Sequence, residues 1–231
     1  MNWQFIPGGV PVLGSWQEFE EGTNFVTFTW PSLWRPATGK IVIGFVARAT
    51  VVQPVDDPLP VTLGGVAVTQ RRLAQTAVDG DPTRALAYLG TASGLSTASA
   101  LTLVVDFGRQ WGNVAGFIGD LIGWSGSVGA TAGAVYSSFN TTTGPTASGV
   151  LQQSGKLLIG LGGQSSGTGD PYSASGWTKL TDVQSEPGSA GIDSSCGVWT
   201  RTGGTAGDTV NLIPTSGTAY TDWASAWMEL Y

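Results

Sequence analysis

The chain has no histidine and a single cysteine, Cys196, in 231 residues. Those two shortages exclude a Ser-His-Asp triad, a Cys-His pair, a haem-type axial site and a His/Cys zinc site within one chain. They also exclude an intrachain disulfide, so no covalent staple holds the fold. Charge is scarce too: 10 basic and 16 acidic residues make up 11% of the chain, against about 25% in an average soluble protein. The net charge of -6 argues against nucleic acid as a partner, because that affinity comes largely from Lys and Arg neutralising phosphates. No run approaches the roughly 18 apolar residues of a membrane-spanning helix, so no membrane association is expected. The opening MNWQFIPGGVPVLG lacks the basic region and continuous apolar core of a secretory signal.

Glycine, hydroxyl residues and tryptophan are abundant: 35 Gly, 48 Ser plus Thr, and 10 Trp. Each glycine inside a helix costs about 1 kcal/mol relative to alanine, and no long stretch sustains helical apolar spacing free of Gly or Pro. The best exception is a short turn around Arg71 to Val78. Short apolar or alternating runs bounded by Gly, Pro, Asp and Ser predict strands at 24–30, 40–49, 60–69, 84–91, 99–107, 114–124, 156–163, 176–183, 195–201, 208–214 and 223–231. The expected fold is all-β, an antiparallel jelly-roll-like β-sandwich.

Residues 1–38 hold eight of the 23 aromatics, and their prolines keep most of this stretch out of a central sheet position. They form an extended N-terminal arm that either covers the domain's own core or docks on a neighbouring subunit. Trp3, Phe5, Trp16 and Phe19 are the candidate docking residues, since concentrated aromatics serve as anchors. Residues 39–231 form one sandwich domain with two halves, 39–126 and 155–231, joined by a Gly/Ser/Thr-rich linker at 127–154. The halves share a string of motifs. GKIVIG at 39–44 recurs as GKLLIG at 155–160, an offset of 116; Ala87-Tyr88-Leu89 matches Val198-Trp199-Thr200 at 111; Ala115 to Ile122 matches Ala224 to Tyr231 at 109. Strand 41–47 is apolar on both faces, which implies burial on both sides, by the arm or by another copy of the chain.

The order of motifs in the second half carries a family likeness. A Gly-Lys strand leads to a Gly-Trp turn (Gly176-Trp177-Thr178-Lys179-Leu180), an aromatic strand (Gly197-Val198-Trp199-Thr200-Arg201), a Gly-rich hairpin (203–208) and a closing Ala224-Ser225-Ala226-Trp227-Met228-Glu229-Leu230. This resembles the jelly-roll virion proteins of tailed bacteriophages, the minor head or tail appendages and fibre-associated proteins. The resemblance spans 39–231, and the arm looks like the docking segment such proteins carry. It implies a non-enzymatic structural or host-contact role, without cofactor or catalytic residues. The implied partners are other virion proteins, further copies in a trimer or higher ring, and a host surface glycan. The implied location is the virion, made in the bacterial cytoplasm and released by lysis, which suits a low-charge chain without an export signal.

Few residues carry chemistry. Lys40 and Lys156 follow glycines, but Trp34 and Val150 stand where a phosphate loop needs its first glycine, and no Ser or Thr follows either lysine. Asp120 and Glu229 fall at matching strand positions beside large apolar neighbours. A pair of carboxylates next to aromatics is what a polysaccharide depolymerase needs, whereas the plainer expectation is that each ends a half-exposed strand or meets an arginine. Asp56-Asp57 and Asp79-Gly80-Asp81 supply too few oxygens for calcium and read as turns. Tyr172, Trp199 and Tyr220, near predicted turns and strand ends, are candidate glycan contacts for an adhesin. Trp177 reads as a core plug and Cys196 as a small buried apolar residue.

Overall fold

The computed structural model describes residues 10–21, 25–31, 34–49, 55, 57–75, 84–136, 141–165, 172–184, 194–220 and 222–231. All helical or extended structure among them is strand: β1 (Val12–Glu21), β2 (Phe25–Pro31), β3 (Lys40–Ala49), β4 (Val61–Leu63), β5 (Val66–Ala67), β6 (Thr69–Gln75), β7 (Arg84–Ser93), β8 (Thr102–Ile122) and β9 (Val128–Tyr136). The second part continues with β10 (Thr141–Thr143), β11 (Ala147–Val150), β12 (Leu157–Ser165), β13 (Ser173–Ala174), β14 (Thr178–Gln184), β15 (Ser194–Thr202), β16 (Thr209–Leu212), β17 (Pro214–Tyr220) and β18 (Asp222–Leu230). The helical turn expected from Arg71 begins instead as β6, which pairs with β7 and bulges between Gln70 and Arg72.

Two antiparallel five-strand arrays form the body of a β-sandwich. In the first the order is β1-β8-β3-β7-β6. In the second it is β9-β18-β12-β15-β14. They stack so that β3 crosses β12 at the centre, β1 lies over β14 at one edge and β6 over β9 at the other. A middle layer of Val42, Val46, Leu89, Phe117 and Leu121 meets Leu157, Ile159, Leu161, Val198 and Met228. Strand alternation sends the remaining side chains outward, into a second and a third core.

On the first sheet's outer face, Ile41, Ile43, Phe45 and Tyr88 meet Phe19, Phe28, Leu103 and Phe107. Phe45 and Tyr88 stack with centroids 4.8 Å apart. The covering elements are β2, β4 and the first third of β8. That 21-residue strand serves both layers, turning between them near Gly108 (φ +63°), whose N–H donates to Asp106 Oδ1 at 2.9 Å. On the second sheet's outer face, Leu158, Trp199, Trp223 and Trp227 are covered by Tyr172, Trp177, Val210 and Leu212. Here the covering pairs are β11 with β16 and β17 with β10 and β13.

Three sequence expectations change. Both apolar faces of β3 are buried within the chain, one against the arm's phenylalanines and one against the second sheet, so neither requires another copy. The segment 127–154 is more than a linker, since it contributes β9, β10 and β11, with Ala130, Ala132 and Leu151 buried. Finally, the matched hexapeptides turn opposite faces to the middle: Ile41 and Ile43 point outward, while Leu157 and Ile159 point inward. A one-residue slip exchanges the faces of a strand, and a strand apolar on both sides conceals it. The offset of 109 does keep the faces, with Ile118 and Trp227 outward and Leu121 and Leu230 inward.

Candidate functional site

Asp120 and Glu229 are both fully buried, and each ties down the turn before the first strand of its half. Asp120 accepts hydrogen bonds from Ala37 N at 2.5 Å, Thr38 N at 3.3 Å and Ser15 Oγ at 3.4 Å. Glu229 accepts from Gln153 N at 2.8 Å and from Gln152 N and Ala130 N at 2.9 Å. The turns so held end in Gly39 and Gly155, at φ +68° and +66°, a left-handed conformation that L side chains rarely adopt. Opposite each carboxylate the edge strand loses register, between Leu13 and Trp16 in β1 and across Met228/Leu230 in the β9 pairing. Alternation turns Asp120 to the first outer face and Glu229 to the second. Stacked sheets are about 10 Å apart, so two carboxyls pointing away from each other across both do not form the roughly 5–9.5 Å pair of a glycosidase. The lysines after these turns are also internal contacts: Lys40 Nζ donates to Trp124 O at 2.8 Å, and Lys156 Nζ sits 5.8 Å from the Tyr231 ring centroid.

Two of the candidate glycan contacts are core residues. Trp199 is 0% and Tyr172 1% exposed, so neither offers a face to a sugar; the Tyr172 hydroxyl bonds Ser195 Oγ. Trp199 lies on β15 and Tyr172 just before β13, near turns and strand ends, yet both are sealed in the outer core with Ala174, Trp177, Val210, Leu212 and Trp223. The side chain of Tyr220 lies outside the described residues. Trp177 is buried with its indole N–H on Asn211 O at 2.9 Å, the core plug expected of it. Cys196 is buried in the middle layer, and desolvation, reinforced by the Asp182 charge, pushes its thiol pKa well up.

Of the four docking candidates, Trp3 and Phe5 lie outside the described residues. Phe19 is 1% exposed and meets Phe28 at 5.9 Å and Trp30 at 5.5 Å between ring centroids, so it anchors the arm to this chain's own core. Trp16 is half-buried and lines a groove.

That groove lies at the edge where β1 lies over β14. Along the same edge is a second opening, a cleft of about 570 Å³ lined by Gln17, Glu18, Glu20, Trp30, Asp182 and Gln184. Across it Thr181 Oγ1 donates to Glu18 Oε1, and Asp182 pairs with Lys179 at 2.5 Å. Amides and carboxylates beside an indole can hydrogen-bond the hydroxyls of a neutral sugar while the ring stacks on its face. Among the described residues no group of three or more Cys, Asp or Glu side chains is placed to hold a metal ion. The sequence signal for this cleft is that Glu18 and Glu20 share one face of β1, an arrangement visible only once that stretch is recognised as a strand. Compared with known proteins, the chain matches no family model, no curated protein and no solved structure.

Proposed function

We propose that the protein is a non-enzymatic structural component of a tailed-phage virion, a tail or head appendage, fibre or decoration protein, working among other virion proteins. What carries this reading is the use to which the chain puts its few reactive groups. Asp120 and Glu229 fasten turns, Cys196 is sealed in the middle layer, and Tyr172 bonds inside a core. A disulfide-free stack of sheets in four layers, without a helix among the described residues, suits a building block better than a reaction vessel. We infer further that the sandwich is jelly-roll-like and that its halves are two copies of one unit. Supporting this are the identical strand orders, the paired bulges and the carboxylate-held glycine turns. Immunogold labelling and co-purification test the role: the protein should band with intact particles at a fixed place and stoichiometry, and recovery only in the soluble fraction of a lysate overturns it.

A second reading, host-glycan binding, is favoured by the Trp30 cleft. A glycan array checks it: binding should weaken at least tenfold in Trp30→Ala, and absence of binding at millimolar sugar removes it.

A further inference from the structure

The first sheet carries opposite charges at its two edges. Its order is β1-β8-β3-β7-β6, and the pairings run one row of residues straight across it: Glu18, Phe117, Gly44, Leu89 and Arg72. Phe117 and Leu89 lie in the middle layer, and directly paired residues share a face, so Glu18 and Arg72 stand on that same face. An acid thus ends the row on one side and a base on the other. Each has a neighbour of its own sign, since Glu20 shares the face of Glu18 on β1 and Arg71 precedes Arg72 in β6.

Among the described residues neither end of the row meets an opposite charge. Glu18 and Glu20 are exposed, and Glu18 accepts the Thr181 hydroxyl instead of a cation. Arg71 and Arg72 are half-buried, with Arg71 Nε donating to Thr91 Oγ1 at 2.8 Å and Arg72 Nη2 to Gly133 O at 3.3 Å, so both meet neutral oxygens. Asp57 is reached at 2.7 Å by Gln70, which shares the row of Ile43 and so stands on the opposite face of β6. In the sheet beneath, β14 balances Lys179 with Asp182, and β9, VGATAGAVY, carries no charge.

β1 and β6 are separated by four antiparallel pairings and therefore run in the same direction. A second copy shifted sideways, without turning over, presents its β6 to β1 at the same height. We propose that copies of this chain associate head to tail in this way, the Glu18/Glu20 edge of one beside the Arg71/Arg72 edge of the next. Unlike charges at matched height fix the register, and like charges keep two acidic or two basic edges from meeting. The contact is heterologous, so a growing row keeps one free edge of each sign until a ring closes. It follows from the charge pattern of the sheet and does not depend on a virion role.

Sedimentation velocity on the full-length protein tests this. Association should rise with concentration and weaken at least about tenfold between about 0.1 M and about 1 M salt, where the screening length falls from about 10 Å to about 3 Å. Glu18→Arg/Glu20→Arg and Arg71→Glu/Arg72→Glu should each be monomeric alone, and their mixture should associate again, because each then offers the other two attractive edges. Circular dichroism checks that both variants fold. If the second does not, Arg71→Gln/Arg72→Gln takes its place and should be monomeric alone and shorten wild-type assemblies when added. A wild type that stays monomeric at millimolar concentration, or whose association ignores salt, overturns the proposal. So does self-association of Glu18→Arg/Glu20→Arg alone, a mixture of folded variants that remains monomeric, or a glutamine variant that leaves wild-type assemblies unchanged.

Discussion

The two edges of the sandwich are built from corresponding strands yet end in opposite ways. Where β6 lies over β9, the side facing inward is small: Gly133 is so close that a Cβ there would stand 2.7 Å from Arg72 Nε and 2.8 Å from Ala74 Cβ. Arg72 Nη2 donates across the seam to Gly133 O at 3.3 Å. Where β1 lies over β14, the inward positions carry Trp16, Glu18 and Glu20, and the seam opens into the cleft and the groove. Through the pairing of Ala226 and Phe117 on the neighbouring strands, Gly133 and Glu18 occupy corresponding places. Side-chain size and like charge at a few positions thus decide whether a sheet edge becomes a seam or a site.

Exchanging those features should undo the difference. The largest effect is expected for Gly133→Glu, which forces a charged side chain into the closed seam; urea denaturation should show a loss of about 3 kcal/mol or more, or failure to fold. Next, Glu229→Ala strands three N–H groups and Asp120→Ala strands two, and each should cost about 2–3 kcal/mol, with the glutamate the more damaging. Equal, negligible losses would mean that the two turns do not depend on their carboxylates. A smaller effect should appear in alkali. Tyr88 and Cys196, one from each sheet, are held protonated by burial, their pKa values raised above the ordinary 10.0 and 9.0. The unfolded chain then releases protons before the folded one, so this contribution to stability is constant below pH 9 and falls as pH rises beyond it. Chemical denaturation at pH 8 and pH 10 checks the sign, and Cys196→Ala should flatten the slope. The smallest change is expected for Glu18→Ala at the open edge, within about 1 kcal/mol, because the lost Thr181 contact is offset by relief of repulsion from Glu20 and Asp182.

Much of the sheet architecture was legible because apolar runs bounded by glycine are a strong strand signal. β3 coincides with the predicted 40–49, and β12, β15 and β18 fall within two residues of expectation. β9 was hidden because VGATAGAVY buries alanine and glycine, which carry almost no hydrophobic signal, and β1 because SWQEFEE alternates polar residues with aromatics in a proline-flanked arm. Asp120 and Glu229 stand 109 residues apart on strands that each pair with an edge strand, but the groups they hold, backbone N–H groups and hydroxyls far away in sequence, are reported by no spacing rule. Trp199 and Tyr172 looked exposed because the strands that cover them were not all recognised.

The 21 residues of β8 belong to both the outer layer and the inner sheet of the first half, whereas in the second half the equivalent path is divided among β16, β17 and β18. An unbroken strand couples its two layers mechanically, so that neither opens without disturbing the hydrogen bonds of the other. Amide exchange should accordingly report the first half as one cooperative unit, with Val105 and Ile118 opening together, while the second half sheds its outer strands at lower free energy than Met228 in the sheet beneath.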